Sequence, residues 1–600
     1  MSAIVTGMAS RALTRWLYRC YYGIKLFPFR KERRERLLGG RQKGLVGIQI
    51  DGLAFPYLQQ ALDRGYLPNL ERYLRRGHKL IEYQAGLPST TPAAQATFFY
   101  GHDHGIPAFR WFEKETGQII SCNDLDQVQD FREKLFAGEK GILAGGASYS
   151  NILDGDAERS IFTVSSPHPQ TLFGRFGGLR VVLLLLVNPW RTCRMFFASF
   201  IEYGANRKDE WYHQRSKRWR TQEGLFPFIR IICNVILREL QTFGVIAEVY
   251  AGTPRIYTTY SGYDEIAHHF GPDSWPALKN LCYIDRRIGE IIRAIDHVPG
   301  ADYLLVILSD HGQTPGYPFQ NRFGATLGDA VSAFLRENQT ATVSSGPLEF
   351  AQAKFGYLRH ELEAQQQGWR HRLYRHTKDY LQQKIQALVP ETLSVDPEGE
   401  VVITYSSSLA HLYITGSAAA LNWHEVEQAQ PLLLLFLQKH KGIGFILARG
   451  KKAGELMIFH SGGQLCVTAD PCFHQHELEF LRPYGAPYEL LEKLHCFGLG
   501  PRCGDLILFG ALDEEGIACF DDQVGGHGSV GGEQSRPFLI LPLDHPVLAK
   551  ERPSGYQFLY QEIFRARIGE DLPEKTGPPA AEALYKLHQR HSDSDFILHD

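Results

Sequence analysis

The sequence predicts an α/β fold: a three-layer α/β/α sandwich with a mostly parallel central sheet and helical insertions. Two apolar runs carry that expectation. "KGLVGIQIDG", ending at Asp51-Gly52, and "ADYLLVILSDHG", ending at Asp310-His311-Gly312, are continuous rather than alternating, as strands covered on both faces require. The first is followed by the helical pattern "LPNLERYLRRG", a strand, loop and helix in sequence. Both runs stop at acidic residues, and in open parallel sheets ligands gather beyond the carboxyl ends of the strands.

In chain order, residues 1–43 form a basic amphipathic segment, "RALTRWLYRCYYGIKLFPFRKERRERLL", in which Arg and Lys interleave with Trp, Tyr, Leu and Phe. Such a helix suits an anionic lipid surface, or it packs on the domain with a solvated basic face. Residues 44–543 read as one discontinuous domain with helical insertions near 140–245 and 325–395. The first insertion contains "VVLLLLV" (Val181–Val187), which Asn188-Pro189 ends, far short of the roughly 20 residues of a bilayer-spanning helix. Trp190, Phe196, Phe197 and Phe200 then surround Arg191 and Arg194, and "LFPFIRIICNVILREL" follows. These are interfacial helices or buried core helices, since both read alike. The second insertion, "YLRHELEAQQQGWRHRLYRHTKDYLQQKIQALV", is polar and charged on one side.

Four β-type runs come next, "EVVITYSSS", "AHLYIT", "GIGFILARG" and "GELMIFHSGGQL", the last two close enough for a hairpin. "GDLILFGAL" and "PFLILPL" are expected to return to the main sheet, and 544–600 is expected to be a polar C-terminal tail.

The composition, 44% hydrophobic and 22% charged over 600 residues, is that of a globular chain. A formal charge of −2 excludes a protein built to coat nucleic acid, so no nucleic acid polymer is expected as a partner. Ten cysteines from Cys20 to Cys519, without a CxxC pair, point to reduced thiols. Arg11, Arg15 and Arg19 interrupt any signal-peptide core. The expected location is cytoplasmic or peripheral to the inner face of a membrane.

Several residues could carry chemistry. In "YDEIAHHFGP", Asp264 and His268 stand four apart and share a helix face. Asp310 and His311 end a buried strand, and His527 lies in the glycine-rich "DQVGGHGSVGGEQ", where the backbone can approach a ligand. Singly, each has a bland reading as a capping Asp, a satisfied core His or a turn. With Asp51 they make three carboxylates and three imidazoles, a donor mixture that favours zinc over calcium or magnesium. In "PSTTPAAQ" (Pro88–Gln95), Pro92 suits the first helical position and Thr91 the N-cap, which would set a hydroxyl at the positive end of a helix.

The ordered set "DG", "PSTTP", "GHDHGI", "YDEIAHHFGP", "SDHG" and "GGHG" resembles the nucleotide pyrophosphatase/phosphodiesterase branch of the alkaline phosphatase superfamily, over about 44 to 543. The resemblance implies an alkaline-phosphatase-like fold and two divalent metal ions, zinc being expected. One would be held by Asp264, His268 and His527, the other by Asp51, Asp310, His311 and the threonine nucleophile. That nucleophile stands three residues after a proline and ten before a glycine; Pro88 and Gly101 both give Thr91 rather than Thr90. The family's usual asparagine after "HGI" is replaced by Phe109, with Arg110 beside it. Arg110 is the expected substitute for gripping a phosphoryl oxygen; a surface Arg beside a buried Phe is the alternative.

The resemblance thus implies a type I phosphodiesterase/nucleotide pyrophosphatase-like hydrolase. It would cleave phosphodiester or pyrophosphate bonds through a covalent threonine intermediate. The substrate would be a phosphate ester of nucleotide or lipid-headgroup type, and the interfacial candidates suggest peripheral membrane contact. Phosphomonoesterase or headgroup phosphotransferase chemistry, and a noncatalytic membrane-associated metal-binding protein, are the alternatives.

Overall fold

Both apolar runs form strands that lie side by side in one sheet. The computed structural model describes residues 2–40, 42–165, 189–224, 226–335, 341–344, 401–468, 473–549 and 555–568. The "VVLLLLV" run and nearly all of the expected 325–395 insertion lie outside the described residues.

Among the described residues the central sheet has seven strands. They are β1 (Lys43–Ile50), β2 (His78–Glu82), β3 (Ala147–Tyr149), β4 (Arg159–Ile161), β5 (Arg255–Tyr260), β6 (Asp302–Leu308) and β7 (Phe538–Pro542). The spatial order is β2-β7-β6-β1-β5-β3-β4. The five strands from β6 to β4 run parallel, while β7 is antiparallel to both β6 and β2.

Continuous apolarity has the expected cause. Val46, Ile48, Ile256, Leu305, Ile307 and Ile540 enter one core, and Leu45, Tyr257, Val306, Leu308 and Leu539 enter the other, so successive residues serve opposite faces. Helices cover both faces. On one side pack α5 (Gly262–Phe270) and α6 (Trp275–His297), on the other α2 (Thr91–Tyr100) and α3 (Leu125–Leu135), while α1 (Ser2–Lys25) and α4 (Pro189–Ser216) lie outermost. The three-layer α/β/α sandwich is the architecture found.

Three expectations need amendment. Within the stretch read as a helical insertion, β3 and β4 are strands of the central sheet; each is three residues long, too short for a periodicity to register. "GDLILFGAL" does not return to that sheet. Its strand Leu506–Gly510 lies in the middle of a second, largely antiparallel sheet, between Leu409–Ile414 and Ile443–Arg449, where "GIGFILARG" and "GELMIFH" make the expected hairpin. Finally, residues 555–568, placed in a polar tail, are helical, and Tyr556, Leu559, Tyr560, Ile563 and Phe564 are buried in the core against α2. Their three-and-four spacing is that of an amphipathic helix.

Candidate metal centre and nucleophile

The candidate residues leave the carboxyl ends of adjacent parallel strands. Asp51 follows β1, Asp310 follows β6 and Asp264 follows β5, so three neighbouring strands deliver three carboxylates to one place. His268 stands one turn along α5 from Asp264, with its Nε2 3.2 Å from Asp264 Oδ2. His527 arrives from the glycine-rich loop, its Nε2 3.2 Å from His268 Nε2. His311 Nε2 lies 3.4 Å from Asp310 Oδ2 and 3.9 Å from Asp51 Oδ1, and its ring stacks on His527 with centroids 4.0 Å apart. All six expected ligands therefore converge. Two overlapping groups, Asp264/His311/His527 and Asp51/Asp310/His311, each have donor atoms within 4.8 Å of one another.

Backbone carbonyls set the direction of all three imidazoles. Nδ1 of His268 meets Gly525 O at 2.8 Å, Nδ1 of His527 meets Ser89 O at 2.9 Å, and Nδ1 of His311 meets Gly312 O at 3.0 Å. An Nδ1–H given to a carbonyl leaves each Nε2 as a lone-pair donor facing the cluster, the usual outer support of a metal-ligating histidine.

Electrostatics argue that these groups suit a cation. Burial, followed by the neighbouring Asp310 and Asp264 carboxylates, holds Asp51 well above the usual carboxylate range. Burial also opposes ionisation of Asp264, but His268, His527 and His311 outweigh it and bring its pKa below the ordinary value. Burial and His311 push His527 well down. Asp310 Oδ2 is buried without a hydrogen-bond partner. Such a concentration of anionic and lone-pair donors is costly in a low dielectric unless positive charge joins it. Mixed imidazole and carboxylate donors fit zinc-type divalent ions.

The two adjacent threonines are distinguished by geometry. Every residue of α2 is buried, and a cap at Gly101, with φ of 91°, ends the helix. Thr91 is the first residue of the helix rather than the expected N-cap, a position that falls to Thr90 with extended backbone. Proline is tolerated throughout the first turn, where its missing N–H is no loss, so Pro92 does not fix the cap to a single residue. Thr91 Oγ1 donates to Asp51 Oδ1 at 3.1 Å and lies 3.3 Å from His311 Nε2. Thr90 Oγ1 is buried without a hydrogen-bond partner.

Arg110 is engaged elsewhere. Its guanidinium donates to Tyr405 O at 3.3 Å and lies 4.0 Å from Asp521. Asp521 accepts from Ser407 N at 2.8 Å, and Ser407 Oγ accepts from His527 N at 3.2 Å. Arg110 thus reaches the cluster through two intermediaries.

Sequence reasoning missed several supporting residues. Gln313 donates to the Asp264 side chain and, at 3.1 Å, to the Asp264 carbonyl. Gln49 Nε2 is 3.5 Å from Asp51 Oδ1 and its Oε1 accepts from Tyr257 and Gln95. Gly52 has φ of 67°, and a Cβ there would lie 2.0 Å from Asp264 Oδ1. The glycine in "DG" and the glutamine in "SDHGQT" were visible signals; Gln49, inside an apolar strand, was the kind of buried polar residue that needs a partner.

The sequence is similar to that of a known protein family. The family described as "Type I phosphodiesterase / nucleotide pyrophosphatase" matches residues 45–437. The chain belongs to that family. The family is a branch of the alkaline phosphatase superfamily, and its chemistry is phosphoric ester hydrolysis. Alkaline phosphatase PafA of Elizabethkingia meningoseptica is 21% identical over 360 residues, which span 50% of this chain and 64% of the relative. Among solved structures, phosphonoacetate hydrolase of Sinorhizobium meliloti 1021 with phosphonoformate matches at 15% identity and a TM-score of 0.39, covering 88% of this chain and 96% of that one. Murine ectonucleotide pyrophosphatase / phosphodiesterase 5 matches at 12% identity and a TM-score of 0.40, covering 90% and 99%.

Proposed function

We propose that the chain is a metal-dependent hydrolase of phosphodiester or pyrophosphate bonds that works through a covalent threonine intermediate. One observation carries the reading: a hydroxyl at the first turn of a buried helix, 3.1 Å from Asp51 Oδ1, lies beside three carboxylates and three inward-facing imidazoles. In this reading Asp264, His268 and His527 hold one divalent ion and Asp51, Asp310, His311 and Thr91 hold the other, with zinc the preferred metal. When bound, the pair would supply positive charge that lowers the pKa of the hydroxyl and stabilises the phosphoryl and leaving oxygens.

Thr91 Oγ1 attacks phosphorus, the bond from phosphorus to the leaving oxygen breaks, and the phosphoryl group passes to the threonine. Asp51 Oδ1 already accepts a hydrogen bond from Thr91 Oγ1 and is placed to receive its proton during attack, and the amino-terminal dipole of α2 favours the anionic group brought against it. The group carried by the threonine keeps the substrate's second substituent; water then cleaves the bond between Thr91 Oγ1 and phosphorus, releasing that phosphate ester and restoring the hydroxyl. Arg110 enters as a positioning residue for His527, through Asp521 and Ser407, rather than as a clamp on phosphate. The catalytic unit is assigned to residues 44–543 with its insertions.

A membrane-associated substrate is favoured by the inverted polarity of α4. Trp190, Phe196, Phe197, Phe200 and Ile201 are exposed, whereas Glu202, Asn206, Asp209, Glu210 and His213 face inward. Arg230 meets Glu202 at 2.7 Å and Asp209 at 2.8 Å, and His269 meets Glu210 at 2.9 Å, so the helix is held by its polar side. Trp16, Leu17 and Ile24 of α1 are exposed as well. Aromatic and basic side chains of this kind suit the headgroup region. Among the described residues no helix is long and apolar enough to cross a membrane.

Phosphomonoester hydrolysis is the second reading, because the curated relative is named an alkaline phosphatase. A screen of aryl diesters, monoesters, pyrophosphates and lipid-linked phosphates on the zinc-loaded chain, with Thr91→Ala as the blank, separates the two. No turnover of any phosphate ester above that blank would refute the hydrolase.

A further inference from the structure

At the carboxyl end of α2, about 15 Å from Thr91 at 1.5 Å per residue, a second cluster of metal-type donors stands apart from the one described. In "GHDHGI", His102 Nε2 lies 3.1 Å from Glu139 Oε2 and His104 Nε2 lies 2.8 Å from Glu139 Oε1. Two imidazoles thus grip opposite oxygens of one carboxylate, and all three donors lie within 4.8 Å of one another.

We propose that His102, His104 and Glu139 form an additional binding site for a zinc-type divalent cation, joining the loop after α2 to the segment after α3. The turn that makes this possible is an unfavourable one. His104 has φ of 52°, a left-handed conformation uncommon outside glycine, and side chains must repay the strain. That turn stacks the two imidazoles edge to face, 3.8 Å between centroids. Phe136 packs against both, 6.2 Å from His102 and 4.8 Å from His104, and Asp103 fixes the turn by accepting from Gly105 N at 2.9 Å.

Two nitrogens and a carboxylate are the donors of a borderline ion rather than of calcium or magnesium. The three side chains are 28%, 25% and 21% exposed, which leaves the remaining coordination positions to water. Arg502 Nη1 donates to His104 O at 2.8 Å and Arg502 Nε meets Glu113 at 3.1 Å. An ion here would therefore also brace the loop that leads into the second sheet.

The test uses the full chain stripped by a chelator and dialysed against zinc alone. Wild type is expected to retain one more zinc per chain than Glu139→Gln, whose amide can accept from one histidine through its oxygen and donate to the other through its nitrogen but is a poor ligand. The zinc-dependent rise in melting temperature should shrink in the same variant. Equal zinc content in wild type, Glu139→Gln and the double variant His102→Asn/His104→Asn would overturn the site. Should the variants fail to fold, anomalous scattering from zinc-soaked wild-type crystals decides the matter. A peak about 2.0 to 2.2 Å from the three donors is expected, and no peak there, with zinc present at the six-residue cluster, overturns the proposal.

Discussion

Gly52→Ala touches neither substrate nor nucleophile, yet the geometry makes it a sharp test of the proposed centre. A Cβ at residue 52 would stand 2.0 Å from Asp264 Oδ1 and 2.9 Å from its Cγ. Ordinary non-bonded separations are about 3.5 Å, so the carboxylate must retreat by roughly 1.5 Å. Metal–ligand distances tolerate only about 0.2 Å. The backbone penalty is small by comparison, since a left-handed φ costs about 1 to 2 kcal/mol and shifts the melting temperature of a large domain by only a few degrees. The side chain that must move is flexible, so the fold survives and the ligand does not. Changes behind a metal ligand cost about 10 to 100-fold in affinity, and displacing a ligand should fall at or beyond the upper end. Competition against a chromophoric zinc chelator measures this directly, with circular dichroism as the control for folding. A folded Gly52→Ala protein with unchanged zinc affinity would refute the placement of Asp264 around a cation.

Thr91→Ala should abolish turnover by at least about 10³-fold, as loss of a nucleophile does, while zinc content falls little; retained turnover in steady-state assays excludes Thr91 as the nucleophile. Arg110→Ala should weaken zinc binding through the Asp521 and Ser407 connection and leave the KM of the metal-loaded protein unchanged, whereas a raised KM with unaltered zinc affinity would restore the phosphate-clamp role. Stripping zinc should lower the melting temperature in proportion to binding free energy, an effect expected to be much reduced in Asp310→Asn. His411 supplies a pH dependence: its Nδ1 accepts from Gly504 N, its Nε2 meets Pro107 O, and burial pushes its pKa down to about 3. The unfolded chain, with a histidine pKa near 6.5, takes the proton first, so the stability contribution is complete above pH 6.5 and declines as pH falls towards 3. Between pH 6.5 and 5 that amounts to about 2 kcal/mol, read as the difference between wild type and His411→Gln in urea unfolding.

The central sheet was legible because burial on both faces removes the need for alternation, and β1 and β6 show it as unbroken apolar runs. What escaped was placement. The run Leu506–Gly510 is as apolar as Phe538–Pro542, yet one lies mid-way in the second sheet and the other beside β6. Both are buried strands, and residue type at a buried strand records coverage, not partners. Likewise α4 was read as interfacial or core from its aromatics. What the pattern could not show is which side faces inward: Glu202, Asp209 and Glu210 do, through ion pairs with Arg230 and His269, residues far enough along the chain that no local pattern links them.

The candidate centre was legible for a different reason. Its candidate ligands are residue types that strand ends and glycine loops do not otherwise require, and each carries a local signal: Asp51 before a glycine, Asp264 and His268 at helical spacing, Asp310 and His311 after a buried strand, His527 among glycines. The residues that orient them speak through atoms every residue has. Ser89, Gly312 and Gly525 act by their carbonyl oxygens, so no side-chain preference announces them. Arg110 illustrates the converse. Its place near the expected phosphate position suggests a clamp, and the fold also sets Asp521 4.0 Å from its guanidinium, a neighbour 411 positions along the chain. A charge's role depends on which opposite charge the fold brings to it, and that is set by topology rather than by the residues on either side.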